Sequence, residues 1–197
     1  MMRYLRSENE QSHARKEEKQ KVILSAAAKV VAREGTSAPI SRIVTEAEIP
    51  VGSLYTHFAD KEALLNALYL ALKSEVAATL VSESHGAGSP RERGRLLWIR
   101  YIFWARAHPE KQRAIQQLSL SPIISEKTAC QARKVMGGVS RTLQNCLPAR
   151  SAMPPEFALG LMQSLIELVL CYTQREPEKF DAYVDTGFQA FWRAISE

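Results

Sequence analysis

The stretch Ile40–Leu65, ISRIVTEAEIPVGSLYTHFADKEALL, constrains this chain more than any other. It reads as a short helix, a tight turn and a second short helix ending in Leu54-Tyr55-Thr56-His57-Phe58, with a third helix opening at Asp60-Lys61-Glu62. Ile40, Ile43, Val44 and Ala47 fall on one stripe at helical spacing. Leu54 and Phe58, four apart, make the matching stripe, and with Ile49 the two sets form a small shared core. Two helices packed at a steep angle, the second turning small and polar side chains outward, have the shape that enters a DNA major groove.

Turning roughly 100° per residue from Leu54 places Gly52 and Thr56 on the outward face, with Ser53 and Tyr55 at its flanks. Gly52 and Ser53 let the backbone approach base edges closely. With Val51 and Thr56 they are the candidates for sequence choice. Tyr55 and His57, nearer the rim, suit phosphate oxygens. Lys61 sits at the positive end of the next helix, where dipole and charge together favour an anion. Ser41 and Arg42 start the first helix of the pair, placed to hold the opposite strand's backbone.

The string Gly52-Ser53-Leu54-Tyr55-Thr56-His57-Phe58, followed by Lys61-Glu62 and Leu64-Leu65, resembles the TetR family of one-component transcriptional repressors. The resemblance extends back over Ile23, Ala26-Ala27 and Glu34-Gly35, about residues 17 to 70 in all. Three positions depart from the family pattern. Glu48 stands where the turn usually has glycine, so a left-handed backbone there costs about 1 kcal/mol or more. Pro39 replaces the usual Thr or Ser cap, and Thr36 replaces the aromatic after Gly35. Pro50 fits the first turn of the reading helix, where a missing N–H does no harm.

At 197 residues the chain accommodates one large domain or a small and a larger one. The net charge of +5 permits nucleic-acid binding but is not concentrated in the motif. Residues 1–61 hold ten Lys/Arg against eight Asp/Glu, which leaves only +2. A basic footprint must therefore come from folding. No cleavable leader or spanning segment is evident, since the apolar run Leu165 to Tyr172 is short and broken by Glu167. The expected location is the cytoplasm, without a membrane partner. Cys130, Cys146 and Cys171 form no CxxC pair and suggest buried, reduced thiols.

The fold class expected is all-α, with about nine helices: an N-terminal three-helix helix-turn-helix DNA-binding domain over 16–62 and a helical ligand-binding and dimerisation domain over 63–197. Residues 1–15 read as a flexible arm; Arg3, Arg6, Arg15 and Lys16 could reach an adjacent minor groove, but a plain solvated tail is the favoured account. Helices are expected over about 16–33, 60–82, 90–107 and 109–118. Further helices are expected over 125–146, with a kink or close packing point at Gly137-Gly138, from the Pro154-Pro155 region to 175, and from Pro177 to 195. Ser84 to Pro90 and Leu147 to Pro155 are the loops.

Trp98, Tyr101, Ile102 and Ala105 share helical spacing while Phe103 and Trp104 turn elsewhere, giving this helix more aromatic faces than a simple core stripe needs. With Tyr69 and Phe157 these rings suit a cavity for flat or cationic molecules, held by stacking and cation–π attraction of roughly 0.5–2 kcal/mol each. Plain core packing is the competing account of each ring. Glu167, inside an apolar run, needs an Arg partner, a dimer seam or a cationic ligand to offset its burial. The second half is similar to the RamR-like repressors of multidrug-efflux control, on Trp98, Tyr101 and Trp104 leading to His108-Pro109, on Arg113-Ala114-Ile115, and on Gly187-Phe188 with Trp192-Arg193-Ala194. That resemblance implies Tyr69, Trp98 and Phe157 as ligand-stacking aromatics, and a sensor of varied aromatic cations. Leu161, Leu165, Leu168 and Tyr172 form one stripe, and Phe188, Phe191 and Trp192 belong to a broadly apolar terminal helix. Together they predict a four-helix homodimer seam.

The combined expectation is a dimeric repressor on palindromic operator DNA, its half-sites about 34–36 Å apart, released when a small effector shifts the helix over 60–82. Two rivals stand beside it. A helical enzyme is disfavoured because His13, His57, His85 and His108 show no metal spacing and no nucleophile or phosphate motif is present, so no metal or cofactor is expected. A DNA-binding protein answering to a protein partner, or acting architecturally, remains the alternative.

Overall fold

The computed structural model describes residues 2–81, 88–147 and 153–196, with side chains described from Ala14 onward at the N-terminus. Ten α-helices and one 3-10 turn account for the regular structure, and no strand occurs among the described residues. They are α1 (Met2–Glu34), α2 (Ile40–Glu46), α3 (Val51–Tyr55), α4 (Lys61–Val81), α5 (Pro90–Ala107), α6 (Pro109–Ser119), α7 (Glu126–Val135), α8 (Gly137–Gln144), α9 (Pro155–Arg175) and α10 (Phe180–Ser196), with the 3-10 turn at Pro177–Lys179.

Three differences from the sequence expectation have physical reasons. Helix α1 begins at Met2, where a flexible arm was expected over 1–15; the first glycine or proline of the chain is Gly35, so nothing interrupts the helix before it. Gly35 takes φ +80° and donates its N–H to the Val31 carbonyl at 2.9 Å, the left-handed closure that suits glycine. The expected helix over 125–146 is two helices, α7 and α8, separated at Met136. Two successive glycines weaken the helix there by about 1 kcal/mol each. A Cβ on Gly138 would lie 3.3 Å from Val81 Cγ2, so the break also admits a close contact. Finally, α10 starts at Phe180, because the segment opened by Pro177 first makes a 3-10 turn.

The chain forms two compact units. The first joins Met1–Leu72 with Pro109–Gln131. Its interior holds Ile23, Ala27, Val30 and Val31 of α1, Leu64, Leu65 and Leu68 of α4, and Ala114, Ile115 and Leu118 of α6. Asn66 fixes the segment after α6: its amide donates to the Ile123 carbonyl at 2.8 Å, and its side-chain oxygen accepts from the Ser125 N–H at 3.0 Å and hydroxyl at 3.2 Å.

The second unit joins Lys73–His108 with Ala132–Glu197. A capping box starts α5. Ser89 Oγ accepts from the Glu92 N–H at 3.3 Å while Glu92 Oε2 accepts from the Ser89 N–H at 2.7 Å. That backbone N–H holds the Glu92 carboxyl below its ordinary range. Trp98 is fully buried, stacked on Phe191 at 6.0 Å and tilted against Phe188 at 6.2 Å, with Nε1 donating to the Val184 carbonyl at 3.1 Å.

Helices α4 and α9 are long and apolar enough to cross a membrane by length and composition alone, a test that core helices also pass. In the structure α4 turns Leu64, Leu65, Leu68, Leu72, Val76 and Leu80 into the protein interior, as a core helix does.

Candidate nucleic-acid interface

The two short helices owe their positions to their neighbours. Prolines occupy both N-cap positions, Pro39 and Pro50, in extended backbone, and neither helix end has a side-chain cap. Helices of seven and five residues do not persist by propensity. They are held by Ile43, Val44 and Ala47 of the first and Leu54 and Phe58 around the second, all buried. Pro50 sits one step before α3 rather than in its first turn.

The turn between them is strained where the sequence indicated. Glu48 has φ 54° and is the one non-glycine residue with positive φ among those described. Its N–H bonds the Thr45 carbonyl at 3.2 Å and Ile49 N–H bonds the Val44 carbonyl at 3.1 Å, so the turn is held by backbone bonds that glycine would keep. Glu48→Gly should therefore raise stability. Relief of roughly 1–2 kcal/mol of left-handed strain outweighs the entropy that glycine adds to the unfolded chain, leaving a gain of up to about 1 kcal/mol. A urea midpoint that stays put or falls would show that the turn carries no such strain.

Packing inward leaves an outward face. Val51 is 48% exposed and Tyr55 50%, unusual for such residues on a core-anchored helix. Ser41, Arg42, Gly52 and Thr56 are also exposed, while Ser53, His57 and Lys61 are partly covered. Thr56 Oγ1 donates to the Ser53 carbonyl at 2.7 Å, so the hydroxyl proton of this exposed residue is used locally. Nδ1 of His57 is buried without a hydrogen-bond partner. Asp60 Oδ1 accepts the Ala63 N–H at 2.7 Å and caps α4 beside Lys61.

Charge pairs dock α2 on α1. Glu46 meets Arg33 and, at 3.3 Å, Lys29. Hydrogen bonding to Arg33 and then Lys29 holds the Glu46 carboxyl below its usual range. Arg42 is not a free phosphate ligand in this structure. Its Nε lies 3.1 and 3.2 Å from the two Glu34 oxygens, and its Nη2 3.0 Å from Oε1.

Residues 23–68, which contain this whole arrangement, match the family of bacterial regulatory proteins, tetR family. A putative tetR family transcription regulator from Shewanella sp. PV-4 superposes with a TM-score of 0.77 at 24% identity, over 91% of this chain and 98% of that one. The fold is that of a tetR-family transcription regulator. A second such regulator, from Marinobacter aquaeolei VT8, gives a TM-score of 0.80 at 19% identity over 94% of this chain and 99% of that one. FadR from Bacillus subtilis, solved in complex with stearoyl-CoA, gives 0.67 at 15% identity over 87% and 96%. At such identities the likeness is one of fold. Regulators of the tetR family are DNA-binding transcription factors, not enzymes.

The tetR-like fold distributes the other expected site residues unevenly. Tyr69 belongs to the first unit and is half-buried, its hydroxyl 3.5 Å from Ser119 Oγ. Trp98, Tyr101, Trp104, Phe157 and Glu167 belong to the second. Trp98 is a core residue whose indole N–H and one ring face are occupied by protein. Tyr101 is buried with its ring 6.1 Å from Trp104, whose Nε1 donates to Glu75 Oε1 at 3.1 Å. Phe157, on the first turn of α9, is 64% exposed. Glu167 is half-buried, and its charge acts on Lys73 of α4. Burial pushes the Lys73 ammonium down, and Glu167 opposes that shift. Neither Lys73 nor Glu75 stood out in the sequence, since each occupies an ordinary place on a long helix.

On the dimer stripe, Leu161 and Leu165 are half-buried and Leu168 and Tyr172 are exposed. Phe188 and Phe191 correct the expectation: both are buried against Trp98 and present no surface to a second copy. Trp192 is partly exposed beside Phe188.

Proposed function

We propose that this protein is a homodimeric transcriptional repressor that binds palindromic operator DNA and releases it on taking up a small aromatic or cationic effector, in the manner of the RamR-like regulators of drug efflux. The observation carrying the DNA-binding part is the core-anchored five-residue helix α3, which turns Val51, Gly52, Tyr55 and Thr56 outward. Ser53, Thr56, Gly52 and Val51 read bases; Tyr55, His57, Lys61 and Ser41 engage the backbone. For the effector, the exposed ring of Phe157 in the second unit offers stacking surface, and the Glu75 carboxylate of that unit is a group that favours a cation. Helix α4 supplies residues to both units, so an effector that repositions it alters the spacing of the two reading helices in a dimer. A coupling of only about 1–3 kcal/mol weakens DNA affinity about 5–150-fold.

The test begins by selecting an operator from random-sequence duplexes. Lys61→Ala should weaken operator and random DNA alike and reduce the salt slope by about one. Thr56→Ala should weaken the operator by roughly 1–3 kcal/mol while leaving random DNA unchanged. Equal losses on both would remove Thr56 from base reading. Indole fluorescence then follows a panel of aromatic cations, with long-chain acyl-CoA included because a structural neighbour was solved with stearoyl-CoA. Release of the operator by acyl-CoA alone would replace the effector class, and silence across the panel would favour control by a protein partner.

A further inference from the structure

The Glu34–Arg42 pair sits in places that helix energetics do not explain. Glu34 is the last residue of α1, where the helix dipole disfavours a carboxylate, and Arg42 lies in the first turn of α2, where it disfavours a cation. Docking of α2 on α1 has other supports in the buried Ile43 and Val44 and in the Glu46 link to Lys29 and Arg33. The pair is also unequal in exposure, with the Arg42 side chain 61% exposed and that of Glu34 30%. The guanidinium is thus held from behind and open in front. Both carboxylate oxygens engage it, and a phosphate presents the same pair of acceptors to the same planar fork.

We propose that Glu34 is a resident competitor for phosphate: it occupies Arg42 in the free protein, and the DNA backbone must displace it to gain that contact. The proposal rests on the DNA-binding reading above and adds a device that sets its strength. A masked arginine lowers affinity for any duplex, whatever its sequence. Sequence-independent contacts dominate non-specific binding, so this widens the margin that base contacts at a true site can exploit.

The experiment is fluorescence anisotropy of a labelled random-sequence duplex, titrated with the full-length protein over a range of salt. Glu34→Gln should bind about five- to tenfold tighter at low salt, with a log K against log[salt] slope close to that of the wild type, because Arg42 reaches phosphate in both complexes. Arg42→Gln should weaken binding, and Glu34→Gln combined with Arg42→Gln should match Arg42→Gln alone. Glu18→Gln removes one negative charge from α1 away from Arg42, next to Lys21, and should change affinity less than about twofold. No tightening in Glu34→Gln, or tightening that persists without Arg42, overturns the proposal. As a measurement on the unmodified chain, the Arg42 Nε–H resonance should move when the duplex is added; a resonance that stays fixed overturns it too. Should the wild-type protein bind no duplex at all, the DNA-binding reading falls and this proposal with it. Normal wild-type binding with an indifferent Glu34→Gln sinks the competitor alone.

Discussion

Gly187→Ala is expected to destabilise the second unit by about 2 kcal/mol, against the usual gain from replacing a helical glycine. In an open helix that change stabilises by roughly 1 kcal/mol. Here the new methyl would stand 2.5 Å from Val169 Cγ2 and 2.8 Å from Trp98 Cζ2. Neither neighbour yields readily. Valine is stiff at χ1, and Trp98 is pinned by its hydrogen bond to Val184 and its stack on Phe191. Overpacking of this kind costs about 1–3 kcal/mol and falls at or above the top of that range when both contacts are rigid. Val169→Ala vacates the worst contact, so the double variant should be more stable than the two single losses added together. Thermal denaturation of the four proteins completes the cycle. Additive losses would mean that α10 shifts away from α5 and α9 without resistance, which their tight packing argues against.

The same cluster shows where reading the sequence reached its limit. Periodicity identified α10 as broadly apolar, and it is. It could not say what covers each apolar face. Phe188 and Phe191 pack against an indole brought in by α5, more than eighty residues earlier in the chain, and are lost to any external partner. Leu168 and Tyr172, on a stripe of similar appearance, remain outside. Charged residues posed a similar difficulty. Arg42 reads as an exposed base on a DNA-facing helix, but the closure at Gly35 and the turn after it bring Glu34 back onto it. Glu167 acts electrostatically on a lysine of α4, nearly a hundred positions away. By contrast, the reading head was legible in detail because its determinants are local. Two apolar stripes four residues apart in period fix which faces turn inward. The strain at Glu48 followed from one substitution at a turn position, and the structure has it at φ 54°. Breaks were harder to read than stripes. A glycine pair weakens a helix without dictating whether it bends or ends, and at Met136 it ends.

Leu168→Glu should convert the protein to a monomer and reduce operator affinity by roughly a hundredfold or more. Leu168 is 53% exposed and Tyr172 40%, and with Leu161 and Leu165 they leave an apolar ridge along one side of α9. In the proposed dimer, such a ridge is half of a seam that a two-fold axis completes, where residue meets its own equivalent or a close neighbour. A carboxylate there would be desolvated near a second carboxylate of the same sign, a loss of several kcal/mol that a standard interface cannot absorb. Because Leu168 lies outside the core, the protomer should keep its helix content and melt near the wild-type monomer limit. Binding to a single half-site should survive at its own weak affinity, since what disappears is the joint placement of two reading helices, worth about a hundredfold to ten-thousandfold. Sedimentation measures the first outcome and operator titration the second. A dimer that persists with Glu at 168 would move the seam off α9, whereas a monomer that still binds the full operator at wild-type strength would leave the two-fold arrangement without a role in DNA recognition.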